Sequence, residues 1–212
     1  RRALADGHHA GWRLARTRQG GRIEQHGVLL SEVAARPGPT HTLFDVLAAA
    51  LAAFAPGPRL ALLGFAGGSV VAPLRALCVQ APLEAVDLSR RGEPLFRALC
   101  GAWAGRVRLT QADAHAWLAR GRRRYDALLE DLSVPHAGDL VKPGVCFERL
   151  PRALARRLAV GGVAVVNVLP TPGWTWARAL GAVRAPFAHA LEVRLAEYAN
   201  RIVLASDRPL DV

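Results

Sequence analysis

The stretch "RLALLGFAGGSVVAPLRAL", Arg59 to Leu77, carries an apolar run into a turn of small residues and out into a helical pattern. The apolar part reads as a buried strand and "GFAGGS", Gly64 to Ser69, as the turn into a helix. Such a turn can set backbone N–H groups and the positive end of a helix beside a ligand, with glycine allowing close approach. Tight strand–helix turns also use glycine for steric reasons alone. The segments around it have to decide between the two.

Downstream the pattern alternates. Strands are expected at Leu60–Leu63, Leu83–Val86, Val107–Thr110, Ala127–Leu132 and Val163–Val168, with helices at Val70–Val79, Arg90–Trp103, Ala114–Arg120 and Cys146–Leu158. Short apolar runs separated by helices indicate a parallel sheet covered on both faces. The ending differs: "ALEVRLAEYANRIVLAS", Ala190 to Ser206, has two strand-like runs around Tyr198-Ala199-Asn200, close enough to pair antiparallel. Upstream, "GWRLAR", "QGGR" and "IEQHGVLLSEVA" give two β-prone runs joined by a Gly-Gly turn, a hairpin. "RPGPT", Arg36 to Thr40, sets a boundary there, dividing residues 1–39 from 40–212. Thr42 to Asp45 then opens a helix whose face repeats through Phe44, Leu47, Ala48, Leu51 and Phe54, and "APGP" ends it. The expected architecture is α/β: a Rossmann-like, doubly wound, mostly parallel sheet ending in an antiparallel hairpin and preceded by a small N-terminal β-hairpin.

A chain of 212 residues with 51% hydrophobic content suits one substantial domain and excludes general disorder. The net charge of +11 is almost all arginine, Lys142 being the single lysine. Abundant Ala, Gly and Pro alongside that arginine match a GC-rich coding bias, so only part of the basicity speaks for anionic partners. "RGRRRYD", Arg120 to Asp126, reads first as a solvated helix end and second as a phosphate-binding patch. Cys78, Cys100 and Cys146 lie far apart with no CxxC spacing, which implies three buried thiols in a reducing cytoplasm. His8, His9, His26, His41, His115 and His189 show no metal-ligand spacing, so no metal is expected. "LFDVLAAALAAFA", Leu43 to Ala55, is too short for a membrane span and carries Asp45. Arg1-Arg2 lead into Asp6, His8 and His9, which is not a signal-peptide pattern, and the lack of methionine implies a start upstream of Arg1.

Three acids fall at successive carboxyl strand ends, where ligands of such sheets bind. Asp87, in "EAVDLSRRG", lies about 20 residues beyond the turn, where an acid can accept ribose hydroxyls. Asp113, in "LTQADAHAWL", and Asp131, in "YDALLEDLSVPHAGD", end the next two strands. Each also has a reading as a helix N-cap, strongest for Asp113, which precedes a helix, and weakest for Asp131, which precedes a loop.

These pieces, in this order, resemble the class I S-adenosylmethionine-dependent transferases, and within them the spermidine-synthase-like branch. The resemblance runs from the N-terminal hairpin through "LLGFAGGS", "AVDLS", "TQADAHAWL", "RYDALLEDLSVP" and "FERLPRALARRLAVGGVAVVNVL" to "YANRIVLAS". It implies an adenosyl-sulfonium ligand, S-adenosylmethionine or its decarboxylated form, as co-substrate. Gly64, Gly67 and Gly68 would approach its methionine part, Asp87 would bind its ribose, and Asp113 with Ala114 its adenine, with Phe65, Ala66 and Leu88 also counted as ligand-binding and Asp131 at the point of group transfer. It also implies a homodimer through the N-terminal hairpin. Two positions depart from the polyamine-synthase pattern. Ala66 stands where an aspartate holds the aminopropyl ammonium, and Val134 where a second aspartate binds the diamine. A dication in a water-poor cleft needs carboxylates to offset its desolvation, so a putrescine site is disfavoured.

Transfer from a sulfonium needs little beyond positioning the acceptor and, for an ammonium acceptor, removing its proton. Asp131 is the first candidate for that role and His136 the second. Glu130 should point to the opposite face by strand alternation. Trp174 and Trp176 read as packing first and as acceptor-pocket walls second. The expected protein is a cytoplasmic transferase moving a methyl or aminopropyl group to a small-molecule acceptor, an amine. The alternatives are a binding module without turnover and, ranked last for want of an aromatic platform, a basic RNA methyltransferase.

Overall fold

The computed structural model describes residues 12–211, so His8 and His9 lie outside it. Strands β1 (Trp12–Thr17), β2 (Gly20–Gln25) and β3 (Val28–Ala34) form an antiparallel sheet in that order. The expected hairpin therefore has a third strand. His26 and Gly27, with φ of 49° and 81°, make the turn that divides the longer β-prone run; two successive left-handed residues match the twist of a tight hairpin. Gly20-Gly21 open β2 instead of turning, and a Cβ on Gly20 would lie 2.0 Å from the Val33 carbonyl oxygen.

Helix α1 (Leu43–Phe54) starts at Thr42, whose hydroxyl accepts from the Phe44 N–H. Then follow β4 (Leu60–Leu63), α2 (Val71–Ala76), β5 (Leu83–Asp87), α3 (Glu93–Cys100), β6 (Val107–Gln111), α4 (Ala114–Arg120) and β7 (Tyr125–Glu130). A small hairpin, β8 (Val134–His136) with β9 (Asp139–Val141), leads to α5 (Val145–Glu148), α6 (Leu150–Arg157) and β10 (Leu158–Val168). The chain ends through α7 (Trp176–Arg184), β11 (His189–Arg194) and β12 (Arg201–Ser206). The helix expected over 146–158 is broken at Arg149, because Pro151 has no N–H to continue the ladder. The one expected to reach Val79 stops at Ala76, and Cys78 beyond it takes a left-handed φ of 61°. Cys100 and Cys146 are buried as expected, but Cys78 is exposed.

The main sheet has seven strands in the order β11-β12-β10-β7-β4-β5-β6. Every neighbour pair is parallel except those of β12, which runs antiparallel to both β10 and β11. The closing hairpin thus slots its last strand into the sheet and leaves β11 at the edge. β4 and β7 are buried along their whole length; β4 is apolar throughout, while β7 buries Asp126 and Glu130 with its apolar residues. Alternate residues feed two cores. Leu62, Leu129 and Val165 pack with Leu47, Leu74 and Leu95 on one face, together with Ile23 and Val33 of the N-terminal sheet. Leu63, Leu128 and Val166 pack with Leu118, Leu150 and Leu180 on the other.

Candidate active site

Strand order reverses between β4 and β7, and the connections leave those two strands in opposite directions. Such a switch point opens a crevice at the carboxyl ends of the strands. A cavity of about 720 Å³ occupies it, walled by the turn after β4, the ends of β5 and β7, and the N-terminal sheet. Gly64 makes the geometry sterically feasible. Its φ is +88°, and a Cβ there would come within 2.6 Å of the Asp131 carbonyl oxygen. The Asp131 N–H in turn donates to Leu63 O at 2.8 Å, so β4 and β7 end side by side.

The turn treats its own polar groups differently from the expectation. Gly64 N–H donates to Val86 O (2.9 Å) and Gly68 N–H to Phe65 O (2.6 Å). Phe65 and Ala66 N–H both donate to Asp87 Oδ2, at 2.7 and 2.8 Å, and Gly67 N–H donates to Ser31 Oγ at 3.1 Å. The donors from Gly64 to Gly68 are thus already accepted by protein, and the turn is no anion cradle. Asp87 Oδ1 also accepts from Ser89 N–H at 2.9 Å. A carboxylate offers about four lone-pair sites; one remains on the oxygen facing away from the turn.

Of the residues singled out in sequence, Gly64, Phe65, Ala66, Gly68, Asp87, Leu88 and Asp131 meet at the cavity wall. Leu88 is 66% exposed, a bare apolar side chain at the mouth. Four others do not line it. Gly67 faces the N-terminal sheet, where a Cβ would overlap Val33, Ile23 and Ser31. Asp113 caps α4, its Oδ1 accepting from Ala116 N–H at 2.7 Å, and Ala114 is buried in the second core. The end of β6 contributes Gln111 instead. His136 ends β8, on a separate cavity of about 480 Å³ shared with Trp174 and Trp176. Both tryptophans also pack: the Trp174 and Phe147 ring centroids lie 4.4 Å apart, the Arg178 guanidinium lies over Trp174, and that of Arg201 over Trp176. Two arginines of the cluster are engaged, Arg123 with Glu84 and Arg124 with the Leu158 carbonyl, and Arg120 and Arg122 are exposed.

Asp131 holds the most consequential carboxylate. Burial pushes its pKa up to about 6, against the opposing pull of Lys142 and of the Asn167 hydrogen bond, while Glu130 and Asp87 add to the rise. Asn167 Nδ2 donates to Asp131 Oδ1 at 2.7 Å, and Asn200 Nδ2 donates to Asn167 Oδ1 at 2.9 Å. Asn167 and Asn200 line the cavity with Tyr198, although sequence reasoning passed over them as site residues. Asn167 did carry a signal, as the lone polar residue in the apolar run Val163–Leu169; a polar side chain buried in a strand needs a partner. Glu130 points to the opposite face, as alternation requires. It is 1% exposed and meets Lys142 Nζ at 2.7 Å.

Among the described residues no three His, Cys, Asp or Glu side chains are grouped to hold a metal ion, and no helix is long and apolar enough to cross a membrane.

No protein-family model matches the chain, and no curated protein matches it in sequence. Solved structures do match. Human methyltransferase-like protein 13, in complex with SAH, superposes with a TM-score of 0.61 at 20% identity, over 78% of this chain and 82% of its own. The fold is therefore that of the class I S-adenosylmethionine-dependent methyltransferases. Spermidine synthases superpose as well, over nearly the whole of this chain. Spermidine synthase from Thermotoga maritima superposes with a TM-score of 0.66 at 15% identity, over 97% of this chain and 72% of its own. A spermidine synthase in complex with the transition-state analogue AdoDATO gives 0.65 at 14% identity, over the same shares.

Proposed function

We propose that this chain is a transferase that binds an adenosyl-sulfonium donor in the crevice between β4 and β7 and moves its methyl or aminopropyl group to a small acceptor. The observation that carries the reading is the meeting of Asp87 and Asp131 in one cavity at the switch point, in a fold shared with proteins solved with SAH and AdoDATO. Asp87 would accept a ribose hydroxyl on its remaining lone pair, with Leu88 against the nucleoside. Asp131 would take the proton of an acceptor amine, for which a pKa near 6 suits neutral pH. Ala66 and Val134 both line the cavity, so neither position supplies a carboxylate for a dication. A singly charged or neutral amine fits this wall better than a diamine.

Calorimetric titration with S-adenosylmethionine, decarboxylated S-adenosylmethionine and methylthioadenosine tests the reading, repeated on Asp87→Asn. Binding of at least one, weakened about tenfold or more in Asp87→Asn by loss of a charged hydrogen bond, is the expected result. The preferred donor then separates methyl from aminopropyl transfer. No binding by any of the three to the folded protein would overturn the proposal.

A further inference from the structure

Beneath the cavity floor lies a charged pair that the transfer reaction, as proposed above, does not use. Lys142 and Glu130 have side-chain exposures of 0% and 1% and meet at 2.7 Å. Glu130 Oε1 also accepts from Leu132 N–H at 2.8 Å and lies 3.7 Å from Cys146 Sγ, while Glu130 Oε2 is buried with no partner. An ion pair sealed from water and left one hydrogen bond short is a poor device for stability alone. Composition singles it out as well. Of 28 basic residues one is a lysine, and it is this one. A compact ammonium fits where a planar guanidinium with five donors would need more acceptors.

The pair brackets Asp131. Glu130 precedes it on β7 and binds the N–H of the residue that follows it, while Asp131's own N–H is fixed to Leu63 O. The peptides on either side of Asp131 are therefore both held. Lys142, at the far end of the β8–β9 hairpin, is tied by its backbone N–H to Thr171 Oγ1 at 3.1 Å. Closing the pair anchors that hairpin over the cavity edge.

We propose that Lys142 and Glu130 are positioning residues for Asp131: Glu130 fixes its backbone, and the buried ammonium holds its carboxylate in the ionised, proton-accepting form near neutral pH. This rests on the role given to Asp131 above. The charges that act on Asp131 are Asp87 from β5, Glu130 from the end of β7 and Lys142 from beyond β9, with the hydrogen bond of neutral Asn167 from β10. Lys142 is the one cation among them. For Lys142, burial alone would lower the ammonium, but Glu130, Cys146 and Asp131 outweigh it and hold it above its ordinary value, so it stays charged.

The test titrates Asp131 directly by carboxyl-carbon NMR, with its signal assigned through Asp131→Asn. The expected midpoint lies near neutrality in the native protein and rises by about one pH unit or more in Lys142→Met. Lys142→Arg, if folded, should lie closer to native. Should Lys142→Met not fold, the double variant Glu130→Gln/Lys142→Met removes both charges at nearly constant shape. Its midpoint should also rise, by less, because the pull of Lys142 on Asp131 exceeds the push of Glu130. A midpoint unmoved in the variant that folds would overturn the proposal. Methylthioadenosine titration of the same samples keeps the two readings apart: a moved midpoint without ligand binding sinks the donor assignment and leaves the pair's effect on Asp131 standing.

Discussion

At the residue scale, Asp131 pits stability against chemistry. Its carboxyl has an ordinary pKa of 3.8 and reaches about 6 in the folded chain, mainly through burial. Between those values the folded state binds more protons than the unfolded chain, so this group's contribution to stability falls as pH rises through that window. About two pKa units correspond to roughly 3 kcal/mol of destabilisation at pH 7 and above. Asp131→Asn keeps an oxygen for the Asn167 hydrogen bond and cannot ionise. It should therefore be more stable than the native protein at pH 8 by about 1–3 kcal/mol, with the difference vanishing toward pH 4. Urea unfolding at several pH values measures this, and an equal or lower stability of Asp131→Asn at pH 8 would contradict the account. At this scale the sequence was only half legible. Strand-end position alone pointed to Asp87 and Asp131, and both line the cavity. It could not distinguish Asp113, at the same kind of position, because nothing in sequence shows that the α4 N-terminus takes its carboxylate. His136 lines a different cavity from Asp131: β8 is three residues long, and which cavity each of its side chains meets depends on a hairpin that the sequence did not reveal.

At the scale of elements, Gly67 joins the N-terminal sheet to the turn after β4. Its N–H donates to Ser31 Oγ, and Ser31 Oγ lies 2.6 Å from Ser69 Oγ, which also accepts from the Glu32 N–H. A Cβ on Gly67 would lie 2.6 Å from Val33 Cγ2 and 2.7 Å from Ile23 Cδ1, both in the core. Gly67→Ala must displace that sheet, and a loss of about 1–3 kcal/mol is expected, the usual cost of overpacking. The informative readout is local. Hydrogen exchange should quicken across β2 and β3 while β4 and β7 keep their protection. Uniform loss across the chain, or no change, would show that the contact does not dock the sheet as an element. The sequence led to the main-sheet strands but not to this joint. Periodicity and glycine placement are local signals and found β4, β5 and β6 to within a residue. The serine pair spans 38 residues of chain and leaves no local pattern.

At the scale of the molecule, strand order separates this fold from other doubly wound sheets that also carry a glycine-rich first turn. Dinucleotide-binding proteins use that turn's N–H groups and a helix N-terminus to hold a pyrophosphate. Here α2 has six residues, and the donors from Gly64 to Gly68 are satisfied by Val86, Asp87, Ser31 and Phe65. A pyrophosphate would have to displace the Asp87 carboxylate or lie beside it, and like charges in a half-enclosed site repel. The net charge of +11 does not rescue it, since Arg91 is the one basic side chain lining the cavity among the described residues. A nucleoside with an uncharged or cationic sulfur arm meets no such conflict. Ligands that bind the folded state raise its stability by about 2.7 kcal/mol at a hundredfold excess over the dissociation constant. Methylthioadenosine should therefore raise the melting temperature by several degrees at millimolar concentration, and NADH at the same concentration should leave it unchanged. An NADH shift matching or exceeding that of methylthioadenosine would mean that the turn opens its donors to phosphate, and the molecule would have to be reread as a dinucleotide binder on a methyltransferase frame.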